Sequence, residues 1–147
     1  MIDLVDNVRD FLKDAGYENV TTKRLDETTG REGVVVRRVP YTVSERYYTR
    51  TKAINYTYQV IVRQRSEFKA MQMCEEIAQV LEDAYIPSEN GSYEFVGQET
   101  YTEPQELDLG ESGFFVWEVR ITAQIYVKGK DVENGYYNNN YNDNNTY

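Results

Sequence analysis

The sequence predicts an α+β fold, a mainly antiparallel sheet with two helices, a protruding β-arm and a disordered C-terminal tail. Three observations point there. In two segments apolar residues recur every three or four positions, the period of a helix face. In two others they alternate strictly, the period of a half-buried strand. The strand-like segments also follow one another closely, which favours antiparallel neighbours over helical crossovers.

Ile2, Val5, Val8, Leu12 and Ala15 fall on one face of a first helix that Gly16 ends, with Asp3 and Asp6 near the positive end of its dipole. A strand is expected from Asn19 to Leu25 and a turn at Thr28-Thr29-Gly30. Gly33 to Val39 is rich in β-branched residues and closed by Pro40, so it reads as a second strand. Further on, Ile54, Tyr56, Tyr58, Val60 and Val62 face one way, while Asn55, Thr57, Gln59 and Arg63 face the other. Ser66 is placed to cap a second helix, with Met71, Cys74, Ala78, Leu81 and Tyr85 as its apolar stripe and Pro87 beyond its end.

Asn90-Gly91 reads as a turn, Tyr93 to Val96 as a short strand, and Glu99 to Gly113 as an acidic connection interrupted by Pro104. The last strand has the clearest pattern. Phe115, Trp117, Val119, Ile121, Ala123, Ile125 and Val127 alternate with Glu118, Arg120, Thr122, Gln124 and Lys128. At about 3.3 Å per residue it spans roughly 45 Å, more than twice the usual length, so it is expected to outrun its own domain and pair or pack with something beyond it. Residues 1–134 are expected to form one domain, a size at which a single core suffices. Residues 135–147 are an Asn/Tyr-rich low-complexity tail with no aliphatic side chain to bury.

The residue inventory narrows the chemistry. The chain has no histidine, which excludes Ser-His-Asp and Cys-His nucleophiles and histidine-based zinc sites. Its single cysteine, Cys74, cannot form an internal disulfide, lies on the apolar stripe, and reads as a core thiol. Gln124 stands where a Walker A loop would need glycine ahead of Gly129-Lys130. Glu99, Glu103, Glu106, Asp108 and Glu111 do not follow a calcium-loop spacing and read as a solvated acidic segment. No catalytic residue, metal or cofactor is therefore expected. The N-terminus interleaves Asp3 and Asp6 with Leu4 and Val5, unlike a secretory signal, and no apolar run approaches the roughly 18 residues of a membrane span. Synthesis in a cytoplasm, without membrane association, is the expectation.

The net charge of −9 is unevenly spread. From Arg31 to Arg65 there are eight basic and two acidic residues; from Ser66 to Asn134 there are fifteen acidic and four basic ones. A subunit with one basic and one acidic surface suits head-to-tail association, which closes into a ring where the rotation allows. The connection from Tyr41 to Ala53 reads as the protruding arm, and Arg46, Tyr47, Tyr48, Arg50 and Lys52 are its candidate interface residues, types enriched where proteins meet. The same tyrosines and arginines could stack bases and hold phosphates, making a nucleic-acid-binding accessory protein the rival reading. Overall acidity and the lack of an RNP or KH signature stand against it.

Gly91-Ser92-Tyr93-Glu94-Phe95-Val96, then Pro104, then Gly113-Phe114-Phe115-Val116-Trp117-Glu118 leading to Ile125-Tyr126, resembles the C-terminal half of phage minor capsid proteins related to tail terminators. Upstream, Gly33-Val34-Val35-Val36-Arg37 and Tyr56-Thr57-Tyr58-Gln59-Val60, followed by a helix with Leu81, are similar in order and spacing, so the resemblance spans roughly Ile2 to Lys128. It implies a virion protein, made in a bacterial host, that forms a ring, hexameric in tail terminators, at the head-proximal end of the tail. The implied partners are further copies of itself, the tail tube protein and a head-completion or connector protein. Genomic DNA would pass through the lumen without specific binding, and an acidic lumen would repel its phosphates. A head-completion (stopper) protein of the same junction is the alternative within this class. The Asn/Tyr tail after Gly135 has no counterpart in the pattern.

Overall fold

A computed structural model describes residues 1–23, 31–39, 42–46, 51–107 and 113–128. In chain order the elements are α1 (Leu4–Asp14), β1 (Val20–Thr21), β2 (Gly33–Arg38), β3 (Thr42–Arg46), β4 (Thr51–Gln64), α2 (Glu67–Glu82), β5 (Glu94–Glu106) and β6 (Phe115–Lys128). The predicted α+β class is what the chain adopts. All six strands join one sheet in the order β1-β2-β4-β6-β5, with β3 also on β4, and every pairing except β1 with β2 is antiparallel.

α1 ends as its sequence requires. Gly16 takes a positive φ, the Tyr17 N–H reaches the Leu12 carbonyl and the Gly16 N–H that of Lys13, a Schellman closure of the last turn. At the other end the Asp3 carboxylate turns away from the helix. It accepts from Ser88 Oγ at 2.8 Å, Ser92 Oγ at 3.1 Å and the N–H groups of Glu89 and Asn90 at 3.1 Å each, tying the start of α1 to the turn that leads into β5. Burial alone would raise its pKa, but these hydrogen bonds hold it below the usual carboxylate range. α2 starts at the predicted Ser66, whose hydroxyl accepts from the Lys69 N–H.

Both helices cover the same face of the sheet. Leu4, Val8 and Leu12 of α1 and Cys74, Ile77 and Leu81 of α2 share one cluster with Ile54, Tyr56, Tyr58, Val60 and Val62 of β4 and Val119, Ile121, Ala123 and Ile125 of β6. Each such aliphatic side chain contributes about 1.5–3 kcal/mol of burial. The Tyr58 hydroxyl enters this core because it has a route out. It donates to Gln98 Oε1 at 2.8 Å, and Gln98 Nε2 donates to the Leu81 carbonyl at 2.5 Å, which also accepts from the Ala84 N–H at the end of α2.

Several expectations are corrected. The stripe of α2 is Ala70, Cys74, Ile77, Ala78 and Leu81; Met71 is half-buried and Tyr85, past the helix end, is exposed. The segment predicted as an acidic connection is largely strand, since β5 runs through Pro104 to Glu106. Its register shifts three times, the last between Thr102 and Gln105, so the proline, which has no N–H to offer the ladder, sits at a bulge on an edge strand. The first strand is two residues long within the described chain; Arg24, Leu25, the turn at 28–30 and Pro40 lie outside the described residues, as does the whole segment 129–147. The exceptional length of β6 is met inside the chain, because β4 is equally long and pairs with it from Thr51↔Lys128 to Gln64↔Phe115.

Candidate assembly surface

The arm is a continuation of the sheet. β2 pairs with β4 over Tyr58–Arg63, the Val39 N–H reaches the Thr57 carbonyl, and β3 then pairs with Lys52–Asn55 along the same side of β4. β2 and β3 are thus two lengths of one interrupted ribbon, and the expected long connection shrinks to the four residues 47–50. Lys52 stands in register with Arg46 on one side and with Val127 on the other. Of the predicted interface residues, Lys52 is half-buried in β4 and Arg46 ends β3, while Tyr47, Tyr48 and Arg50 lie outside the described residues. Arg37 and Arg38 of β2 extend the basic side of the sheet along the same ribbon.

The helix-free face of the sheet is not simply wet. Glu118 of β6 is 3% exposed, beneath Gln59 of β4, Gln105 of β5 and Arg120 of its own strand. Gln105 Nε2 donates to it at 2.9 Å, Arg120 Nε lies at 3.4 Å, and Gln59 Nε2 donates to the same carboxylate. Burial would raise its pKa, yet these donors and the Arg120 charge hold it below the usual carboxylate range. Beside it the hydroxyls of Thr57 and Thr122 meet at 2.8 Å. At the far end Arg63 is buried, donates to the Arg31 carbonyl at 2.8 Å and lies over the Phe114 ring with Arg65. These are groups that knit strands together.

Cys74 is wholly buried, and desolvation, reinforced by Glu118 and Glu75, pushes its thiol up to about 12, the reverse of an activated nucleophile. No group of three or more acidic or cysteine side chains among the described residues could hold a metal ion. A cleft of about 460 Å3 opens at the base of the arm, lined by Met1, Thr51, Tyr93, Glu94, Tyr126 and Lys128 among others. No described helix is long and apolar enough to cross a membrane.

Sequence reading passed over the opposite edge. β5 carries Glu94, Glu99, Glu103 and Glu106 with Val96 and Tyr101 exposed among them. The alternation of Thr100 and Thr102 around Tyr101 was a strand signal, masked by Pro104 and by bulges that break the two-residue period.

The fold is thus a six-stranded sheet with two helices on one face and an acidic outer strand, β5. The family model described as bacteriophage tail terminator protein matches residues 11–127, and the chain belongs to that family. It is therefore a structural protein of a phage virion, located in the tail. A chain of the structure titled "Virion of native gene transfer agent (GTA) particle" is similar in fold, with a TM-score of 0.52 and 13% identity, covering 74% of this chain and 79% of that one. No curated protein matches.

Proposed function

We propose that this chain is the repeating subunit of a ring, a hexamer by family analogy, that sits at the head-proximal end of the tail, stops growth of the tail tube and joins it to the head. The observation that carries the reading is the match to the tail terminator family over residues 11–127. The charge-segregated sheet supports it, because basic and acidic edges on opposite sides favour head-to-tail contacts between identical subunits. The ring acts by geometry and has no enzymatic step. Its partners are copies of itself, the tail tube protein and a head-completion or connector protein, while genomic DNA passes the lumen without specific contacts. The subunit is made in the cytoplasm of the bacterial host, residues 1–134 fold as one domain, and the arm from Tyr41 to Ala53 carries self-association or docking to the adjoining ring.

Light scattering and negative-stain imaging of the purified protein test this directly. Rings are expected, and replacing Arg46, Arg50 and Lys52 with glutamate should reduce the mass to that of a monomer while circular dichroism stays unchanged. A charge-reversed protein that still forms rings and still joins tails to heads would remove the arm from the account. Rings that bind head-completion protein but leave tube length unregulated would assign the chain to the stopper role.

A further inference from the structure

We propose that the β5 edge is a docking face for the basic β2–β3 edge of a second copy of this chain, covering Tyr85, Val96 and Tyr101. The inference rests on the ring reading above and names the surface that completes it.

β5 is the last strand of the sheet on its side. Its register jumps from Phe95 to Gly97 and from Thr100 to Thr102, so Val96 and Tyr101 are the extra residues of two bulges. Both are thrust outward, 58% and 69% exposed. Tyr85, 69% exposed, leans edge-to-face on Phe95 with ring centroids 5.8 Å apart. Val96 and Tyr101 are five residues apart, about 17 Å along the strand. One exposed apolar side chain is ordinary; two at bulges of an edge strand, with Tyr85 against Phe95 of the same strand, leave more apolar surface open than scattered single residues do.

The surrounding charge selects the occupant. Glu82, Asp83, Glu94, Glu99 and Glu103 are exposed around these residues. The sequence holds no lysine or arginine from Ala70 to Val119. Glu94, Glu99 and Glu103 have no ion-pair partner among the described residues. The edge thus repels itself, and its cover must bring cations. The chain carries such a surface on the opposite side of its own sheet, where Arg37 and Arg38 of β2 and the Arg46–Lys52 pair lie. Joining opposite edges of identical subunits is a heterologous contact, the kind that repeats around a ring. The strand ladder is not extended across it. Three register shifts, four glutamates and Pro104 spoil β5 as a pairing template, so side chains make the contact, aromatic at its centre and charged at its rim.

The test uses the full chain and measures assembled mass against concentration by light scattering. Replacing Glu94, Glu99 and Glu103 with lysine should raise the half-assembly concentration on the order of tenfold or more at low salt. Val96→Ser with Tyr101→Ser should do the same with little dependence on salt. Adding Arg37→Glu, Arg46→Glu and Lys52→Glu to the lysine variant reverses most of the basic surface as well and should restore assembly; far-UV circular dichroism checks that each variant folds. A folded lysine variant and a folded serine variant that both assemble like the wild type would overturn this interface while leaving the ring intact. Loss of tail-tube binding with rings preserved would overturn it in favour of a different protein on this edge. A wild type that stays monomeric at every concentration would end the ring reading itself.

Discussion

Gly33 opens β2 where the backbone of residue 19 passes close by. A Cβ there would stand 2.8 Å from the Asn19 carbonyl oxygen, the acceptor for the Val34 N–H. Asn19 can hold its own positive φ because its side chain is short and polar, and its Nδ2 donates to the Glu32 carbonyl. Gly33→Ala should therefore cost about 1–3 kcal/mol in urea unfolding, since backbone rather than a flexible side chain must yield. A change under a few tenths would mean that β1 moves aside freely. Glu118 carries a different kind of constraint. Its pKa in the folded protein lies below the ordinary value, so the stability it adds is present above the unfolded pKa and lost as pH falls through the folded one. Glu118→Gln should destabilise by about 1–3 kcal/mol at pH 7. The gap from the wild type should narrow as pH falls through the lowered pKa of the folded carboxyl, where the native side chain becomes neutral as well. A gap that stays constant throughout the acid limb would show that the charge is irrelevant.

Elements with an unbroken period could be read from sequence, and those with an interrupted one could not. Spacing by three and four located α1 and α2, and alternation located β4 and β6, because burial on one face imposes that period directly. Tyr85 failed as part of the α2 stripe because the helix stops at Glu82 and the chain turns its ring outward against Phe95. The edges were less legible. β3 follows a proline that reads as an end, and β5 changes register three times, so neither keeps the pattern by which strands are recognised. The candidate site was hidden in the same way: Lys52 reads from sequence as part of the connection from Tyr41 to Ala53 though it lies in β4, and the use of Val96 and Tyr101 depends on β5 lying outermost, which only strand order reveals. Residues 135–147 belong to this scale by composition, having no aliphatic group to offset the cost of ordering them. Deleting them should leave the melting temperature within about a degree or two of the full chain by circular dichroism. A fall of many degrees would place the tail in the core.

Taken whole, the molecule repels what it is proposed to admit. A net charge of −9 opposes phosphate binding, although the ribbon from β2 to β4 is locally basic. Fluorescence anisotropy with labelled duplex or single-stranded DNA at physiological salt should show weak, non-saturating binding. Submicromolar affinity with a steep salt slope, lost on replacing Arg46, Arg50 and Lys52, would favour the nucleic-acid-binding reading instead. The pairing of β4 with β6 carries a mechanical meaning too. Their ladder is continuous from Thr51↔Lys128 to Gln64↔Phe115, with its hydrogen bonds lying across the strand direction. A pull along that direction shears all these bonds together, whereas a pull across it unzips them one after another. A subunit gripped at the arm and at the opposite end of β4 is loaded in its stiff direction, so tension between two assemblies would be borne by the whole length of the sheet.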